Sequence, residues 1–246
     1  METCSRCGSK LSADSKYCAI CGAPRAAAPA PARTAARPRV TLRIVRADGG
    51  PEALVPMQGD QLICGRHGDL VIPDDPFVAD AQARFFFASG RLAVEDVGGG
   101  NGVFLRLRHE REIPQGGELR IGRQRLLLEA IPPPAVGPDG AVMWGSPDPG
   151  ARLLLVQLLE GGVRAAAFPL KEGANAVGRE LGDITFPGDG FVSGRHAELL
   201  VRGERVTVKD LGSSNGTFFR LGAPALVDDG DQFLIGRELL RVEVKP

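Results

Sequence analysis

The sequence predicts an all-β protein built from two copies of one antiparallel β-sandwich. Short apolar or alternating runs are separated by glycine, proline, asparagine and aspartate, which is the pattern of strands joined by turns. No segment carries a sustained apolar stripe with the 3.6-residue period of a helix. Many short strands within about 95 residues favour a sandwich for each copy. In the second copy, strands are expected at 153–158, 165–170, 197–201, 205–209 and 239–244.

Two large blocks of the chain repeat each other at a nearly constant offset. The matching segments are 64–66 with 177–179, 96–102 with 210–216, and 121–123 with 235–237. The offset is 113 positions between Arg66 and Arg179 and 114 positions between Asn101 and Asn215. A constant offset with one inserted residue indicates that one domain has been duplicated.

Two linkers separate the folded blocks. Residues 24–38 are almost wholly alanine, proline and arginine, and residues 132–150 open with three prolines. Such segments bury too little apolar surface to fold and are expected to act as extended tethers. The predicted boundaries are a small segment at 1–23, a linker at 24–38, the first sandwich at 39–131, a linker at 132–150 and the second sandwich at 151–246.

Composition and charge exclude several functional classes. The chain has 30 basic and 30 acidic side chains and a formal net charge of zero, which argues against a protein that coats nucleic acid by electrostatics. The longest apolar runs, such as 153–159, are too short to cross a bilayer. No basic segment followed by an apolar one opens the chain. We therefore expect a cytoplasmic protein that is not inserted into a membrane.

Two Cys-x-x-Cys pairs near the N-terminus predict a structural metal site. Cys4 and Cys7 form the first pair, and Cys18 and Cys21 form the second. Four thiolates at this spacing suit tetrahedral Zn²⁺, whereas disulfides are disfavoured in a cytoplasmic chain. A redox pair would not need four cysteines. The segment resembles the short zinc ribbons that precede other modules, and metal binding is expected to supply most of its folding energy.

The second block carries three segments equipped to bind a phosphate group. Residues 178–179 place a fixed cation after a glycine, residues 193–196 supply a hydroxyl and an imidazole, and residues 212–217 supply hydroxyls, an amide and turn glycines. A phosphorylated side chain carries about −1.5 to −2 charges near neutral pH. A guanidinium matches such a group better than an ammonium because its donors form a planar fork.

In this order, Gly-Arg, Ser-x-x-His and Gly-x-x-Asn-Gly-Thr resemble the forkhead-associated (FHA) domain, a β-sandwich that binds phosphothreonine peptides. The resemblance covers residues 152–246 and implies no catalysis. It implies that the phosphopeptide contacts Arg179, Ser193, Gly194, Ser214 and Asn215. It assigns structural support of the site to Gly178, His196, Gly216 and Thr217.

The first repeat departs from this pattern at several of the same positions. It keeps Arg66, Asn101 and Gly102. Its substitutions are Ala79 for Ser193, Gln82 for His196, Gly100 for Ser214 and Val103 for Thr217. Alanine has no donor, and the loss of one hydrogen bond to a charged group costs about 1.5–3 kcal/mol. We therefore expect a degenerate FHA-like sandwich with weak or no phosphothreonine binding.

The expected function is a phosphothreonine-binding signalling adaptor that acts downstream of Ser/Thr kinases through the second sandwich. Its expected partners are phosphothreonine-containing proteins, namely a kinase or the substrates of one. A phosphate-independent interaction scaffold is the main alternative. A nucleic-acid-associated role for the zinc ribbon is a second, disfavoured because Tyr17 is the only aromatic residue near it. Thr34, in the arginine-rich linker, is a minor candidate for a phosphorylated residue that binds the second sandwich intramolecularly.

Overall fold

Strands make up about half of the described residues between 39 and 245. The computed structural model describes residues 3, 9–10, 20, 37–45 and 52–245. The predicted zinc ligands and Thr34 lie outside the described residues. The prediction of an all-β fold is confirmed, because the described helical content is a single 3₁₀ turn at 160–162. Among the described residues, no helix has the length and apolar character needed to cross a bilayer.

Each repeat contributes ten strands. The first repeat forms β1 (Arg39–Val45), β2 (Ala53–Pro56), β3 (Gln61–Gly65), β4 (Leu70–Val71), β5 (Ala83–Ala88), β6 (Arg91–Asp96), β7 (Val103–Arg106), β8 (Arg111–Ile113), β9 (Glu118–Ile121) and β10 (Gln124–Ala130). The second forms β11 (Leu153–Leu158), β12 (Arg164–Leu170), β13 (Gly173–Gly178), β14 (Ile184–Thr185), β15 (Ala197–Arg202), β16 (Arg205–Asp210), β17 (Thr217–Arg220), β18 (Ala225–Leu226), β19 (Gln232–Ile235) and β20 (Glu238–Lys245). Side chains alternate between the two faces as the sequence predicts, so Val206 and Val208 are fully buried in β16.

The strands form three sheets. A ten-stranded sheet has the order β12-β11-β10-β9-β17-β7-β19-β20-β1-β2, and two five-stranded sheets have the orders β14-β13-β15-β16-β8 and β18-β6-β5-β3-β4. Neighbouring strands are antiparallel except for two short parallel pairs, β3 with β4 and β13 with β14. Each five-stranded sheet covers one half of the long sheet, which gives two sandwiches.

The two repeats exchange their last three strands. Strand β1 pairs with β20 of the other repeat, and β10 pairs with β11. In the smaller sheets, β18 pairs with β6 and β8 pairs with β16. One sandwich therefore consists of β1–β7 with β18–β20, and the other consists of β11–β17 with β8–β10. The domain boundaries predicted from the sequence therefore stay predictions. Strands on either side of the boundary at 132–150 pair with each other.

The hydrophobic core of the sandwich formed by β1–β7 and β18–β20 contains side chains of both repeats. The rings of Phe85 in β5 and Phe233 in β19 meet edge to face with their centroids 5.5 Å apart, although they belong to different repeats. Cys64 lies in the same core, and burial raises the pKa of its thiol to about 12. Its neutral, buried state agrees with the small apolar role of the equivalent Val177.

The sandwiches meet where β7 and β17 pair in the middle of the long sheet. Glu118 at the start of β9 accepts hydrogen bonds from Arg125 (2.5 Å) and Arg220 (2.6 Å). Burial opposes ionisation of this carboxyl, but the two guanidinium groups outweigh it and lower the pKa of Glu118. An ionised, doubly paired carboxylate thus joins strands of both repeats at the junction.

Candidate functional site

Gly178 brings Arg179 next to Ser193. A Cβ atom on Gly178 would overlap the backbone carbonyl oxygens of Gly194 and Leu181, so the chain approaches this closely only with glycine here. The amide of Arg179 donates a hydrogen bond to the carbonyl of Ser193 at 2.8 Å. The end of β13 and the loop before β15 are therefore fixed against each other.

The Arg179 side chain lies at the protein surface. Its Nε donates to Glu180 at 3.0 Å, and the side chain remains 37% exposed. An exposed pair between neighbouring residues contributes about 0–1 kcal/mol. The guanidinium therefore keeps donors for an anionic ligand.

His196 ties the loop that contains Ser193 to the loop that contains Gly216. The ring is fully buried at the start of β15. The amide of Ser193 donates to Nδ1 at 3.0 Å, and Nε2 lies 3.1 Å from the carbonyl oxygen of Gly216. Because Nδ1 accepts, the proton of the neutral ring belongs on Nε2, which donates to Gly216. Burial lowers the pKa of His196 and so favours this neutral form.

The hydroxyl of Ser193 links to the loop before β17. Its Oγ accepts a hydrogen bond from the amide of Ser214 at 3.1 Å. The hydroxyl hydrogen thus stays available to an acceptor such as a phosphate oxygen. Ser214 itself is exposed. The structure therefore brings Arg179, Ser193 and Ser214 to one end of one sandwich.

Asn215 connects the same loop to the segment before Ser193. Its Nδ2 donates to the carbonyl of Phe191 at 2.8 Å, and the residue is exposed. The amide side chain thus uses one group to hold the loops together. The carbonyl Oδ1 of this exposed residue is left as an acceptor for a peptide N–H.

Asp210 organises the loop 212–217, and the sequence analysis missed it. The amides of Gly212 and Ser213 donate to Oδ1 at 3.0 and 2.9 Å, and the hydroxyls of Ser213 and Thr217 each donate to Oδ2 at 2.7 Å. Burial raises the pKa of Asp210, but these donors outweigh burial and the net shift is downward. The signal was present in the sequence, because an aspartate two and three residues before a Gly-Ser pair is a typical Asx turn.

Two arginines of the first repeat border this site, and they were also missed. A Cβ atom on Gly216, which has a φ of +84°, would overlap Arg106 of β7. The guanidinium carbon of Arg123, in the turn between β9 and β10, lies 4.6 Å from the centre of the Phe191 ring. Sequence signals do not point to either residue, because Arg123 reaches the site through the strand exchange and Arg106 through the pairing of β7 with β17.

In the first repeat, Arg66 takes the place of Arg179 and is paired with a carboxylate of its own repeat. Arg66 forms an ion pair with Asp80 at 2.9 Å, and His67 Nδ1 lies 3.3 Å from the same Asp80 oxygen. Asp80 stands at the repeat position of Gly194, so the first repeat has a carboxylate within this loop, whereas Glu180 of the second repeat directly follows Arg179. This substitution adds to the loss of the serine hydroxyl at Ala79.

The first repeat otherwise keeps the framework of the loops. Gln82, in the place of His196, accepts from the amide of Ala79 at 3.1 Å and donates to Asp96 at 2.9 Å. Asn101 donates to the carbonyl of Phe77 at 3.0 Å, as Asn215 does to Phe191. The loops are therefore held in a similar way, and the difference between the repeats lies in the charges and hydroxyls they present.

Comparison with known proteins identifies both modules. The sequence model of the FHA domain matches residues 62–122 and 175–236, and that of the zinc-ribbon domain matches residues 3–25. The glycogen accumulation regulator GarA of Mycolicibacterium smegmatis is 34% identical over 121 residues, which cover 48% of this chain and 75% of GarA. GarA of Mycobacterium tuberculosis (strain H37Rv) is 33% identical over 121 residues, or 48% of this chain and 73% of that protein.

A solved FHA domain is also similar. It comes from a structural and functional analysis of phosphothreonine-dependent FHA domain interactions, is 28% identical, and matches over 37% of this chain and 95% of that chain with a TM-score of 0.21. The family matches cover both repeats and the N-terminal cysteine pairs, as the sequence motifs predict. The chain therefore belongs to the FHA-domain family, as a protein with two FHA domains in tandem and a zinc-ribbon segment at its N-terminus.

Proposed function

We propose that this protein is an adaptor that binds phosphothreonine-containing partners through the loops of its second repeat. The observation that carries the proposal is the backbone linkage of Arg179, Ser193 and Ser214 into one cluster. Membership of the FHA family supports the proposal, as does the regulatory role named for the GarA relatives.

The chemistry of the cluster suits a dianionic group and requires no bond to be broken. Arg179 offers a planar set of charged donors, and Ser193 offers a hydroxyl whose oxygen is already fixed by Ser214. Gly194 leaves the backbone of the loop accessible. Asn215 holds the peptide backbone beside the phosphate through its Oδ1. These roles describe binding, and we assign no catalytic role to the site.

Phosphate binding is assigned to the second repeat alone. In the first repeat, Asp80 replaces Gly194 and adds a negative charge to the loop that corresponds to the Ser193 loop, where it would repel a phosphate. A unit negative charge about 4 Å away opposes a second one by roughly 1–4 kcal/mol, depending on solvent exposure. Ala79 adds the loss of a donor. Both changes weaken binding without disturbing the sandwich.

Replacing Arg179 by alanine should abolish phosphate-dependent binding by the full-length protein. Loss of two charge-assisted hydrogen bonds of about 1.5 kcal/mol each lowers affinity by roughly 100-fold. The measurement is a titration with a degenerate phosphothreonine peptide library, alongside matched phosphoserine and unmodified libraries. Arg66→Ala is the matched control, and it should leave the affinity unchanged.

Two results would contradict the proposal. Equal affinity for phosphorylated and unmodified peptides would favour a phosphate-independent scaffold. A loss caused by Arg66→Ala and not by Arg179→Ala would assign the site to the first repeat. Because threonine phosphorylation is the product of Ser/Thr kinases, we place the protein downstream of such a kinase, with the kinase or its substrates as partners.

We also propose a structural Zn²⁺ held by Cys4, Cys7, Cys18 and Cys21. The zinc-ribbon match at residues 3–25 spans all four, and four thiolates complete a tetrahedral shell with no open position. Zinc in such a site stabilises the folded segment and leaves no coordination position for a substrate.

Purified protein should contain about one zinc ion per chain, since four cysteine ligands fill one tetrahedral site. The double variant Cys18→Ser/Cys21→Ser should contain almost none when both are measured by elemental mass spectrometry. Cys64→Ser is the control, because burial keeps that thiol protonated with a pKa of about 12. Retention of zinc by the double variant, or its loss from the Cys64 control, would disprove this ligand set.

A further inference from the structure

We infer that the ligand surface of the second repeat is composite, and that Arg123 of the first repeat binds an acidic side chain of the phosphorylated peptide. The inference rests on the proposed function and adds a specificity-determining residue and a ligand class to it. It follows from the strand exchange, which carries the β9–β10 hairpin of the first repeat into the sandwich that presents Arg179 and Ser193.

The turn of this hairpin is anchored to the loop before β15, which contains Asp189, Phe191 and Ser193. Asp189, which is buried, accepts hydrogen bonds from the amide of Arg123 at 2.8 Å and from Nε2 of Gln124 at 2.7 Å. The same carboxylate accepts from the amide of Phe191 at 3.0 Å through its other oxygen. One buried side chain of the second repeat therefore fixes both the first-repeat turn and the segment that leads to Ser193.

This anchor sets the Arg123 guanidinium beside the groups assigned to the peptide. The guanidinium lies over the Phe191 ring at 4.6 Å, a cation–π arrangement, and the ring is 41% exposed. The carbonyl of Phe191 accepts from Asn215, and Ser193 is two residues further along the chain. A peptide that bonds Asn215 and places its phosphate on Arg179 therefore runs close to Arg123.

The charge of Arg123 has no counter-ion within the parts of the chain that the structure describes. No carboxylate of residues 37–45 or 52–245 forms an ion pair with it, whereas the phosphate-site cation Arg179 has Glu180. The repeat equivalent, Arg237, also lies over a ring, Phe77 at 4.7 Å, but it has Glu160 at 4.0 Å. Arg123 is exposed, and a guanidinium packed against a ring at the surface presents donors that match a carboxylate.

The test uses the full chain and a neutral peptide with one phosphothreonine, into which aspartate is placed at each flanking position in turn. The wild type should bind at least one aspartate peptide about 2- to 5-fold more tightly than the neutral peptide, the range for an exposed ion pair. Arg123→Gln should remove this preference and leave the neutral-peptide affinity unchanged. Arg237→Gln, the matched control, should keep the preference. In the charge reversal Arg123→Glu, lysine at the same position should be preferred instead.

The outcomes separate the inference from the proposed function. If the wild type shows no phosphothreonine-dependent binding, both fail. If it binds phosphothreonine with no preference for aspartate, or if Arg123→Gln keeps that preference, the inference alone is overturned. If Arg123→Gln lowered the affinity for neutral and aspartate peptides equally, Arg123 would only support the loop. This result would also overturn the inference.

Discussion

Cleavage of the chain within residues 132–150 is expected to leave the two halves bound to each other as a one-to-one complex. The strand pairs that join the halves are β1–β20, β6–β18, β7–β17, β7–β19, β8–β16, β9–β17 and β10–β11. The exchanged strands carry buried side chains such as Leu119, Leu126, Phe233 and Leu240 into the opposite sandwich. Each contributes roughly 1.5–3 kcal/mol on burial, so the halves separate only if these strands unfold.

The measurement needs a protease site in the exposed part of this segment, around residues 143–148. The cut protein should elute as one species with the mass of the intact chain by light scattering, and it should run as two fragments on a denaturing gel. Two separate native species, one per repeat, would contradict the strand exchange.

A pair of cysteine variants gives a control that does not depend on dissociation. Thr41 is paired in register with Glu243, and Glu129 is the residue of the first repeat that is equivalent to Glu243. Thr41→Cys/Glu243→Cys should form a disulfide readily, because directly opposed residues in antiparallel strands have the required Cα separation. Thr41→Cys/Glu129→Cys should not, since Glu129 pairs with Leu154. The reverse result would mean that each repeat closes on itself.

Replacing Gly178 by alanine should abolish phosphopeptide binding and destabilise the fold together. The added Cβ would overlap two backbone carbonyl oxygens, those of Gly194 and Leu181, which lack the freedom of a side chain to move aside. Overpacking of this kind costs about 1–3 kcal/mol, occasionally more. Relief of the overlap requires the loop with Ser193 to move away from Arg179, and the binding cluster is then lost.

Denaturant unfolding and phosphopeptide titration measure the two effects on the same sample. Gly188→Ala is the control, because Gly188 lies in the same loop region, is exposed, and has no atom within 4 Å of the position that a Cβ would occupy. It should change stability and binding little. If Gly178→Ala bound phosphopeptide with wild-type affinity, the close approach at this position would not be needed for the site.

Local patterns in the sequence were sufficient to predict five of the ten strands of the second repeat, namely β11, β12, β15, β16 and β20. Alternation of apolar residues located strands such as 153–158 and 205–209, and the resemblance to the FHA domain grouped Arg179, Ser193 and Asn215 as one site. Asp80 was also open to prediction, because comparison of the repeats sets it directly against Gly194. Its effect depends on the ion pair with Arg66, which only the coordinates reveal.

The strand exchange was not predictable in the same way. Strands β10 and β20 occupy equivalent places in the two repeats and present the same alternation of buried residues, so either satisfies the pattern that β1 requires. The period of two residues specifies which face of a strand is buried and does not specify which copy supplies the neighbour. Arg123 could not be predicted for this reason, and Arg106 could not because it reaches the site where β7 pairs with β17 of the other repeat.

The exchange also limits how the duplicated halves can drift apart. Substitutions in one copy of a duplicated domain are ordinarily tolerated when the other copy keeps the function, but residues 111–130 of the first repeat complete the scaffold under the loops of the second. Four of the differences between the copies that bear on phosphate, at Ala79, Asp80, Gln82 and Gly100, fall in loops, and the fifth, at Val103, is at the first residue of β7. Selection on one half thus extends to the other, because a damaging substitution in an exchanged strand of either repeat alters the sandwich that supports the loops of the other.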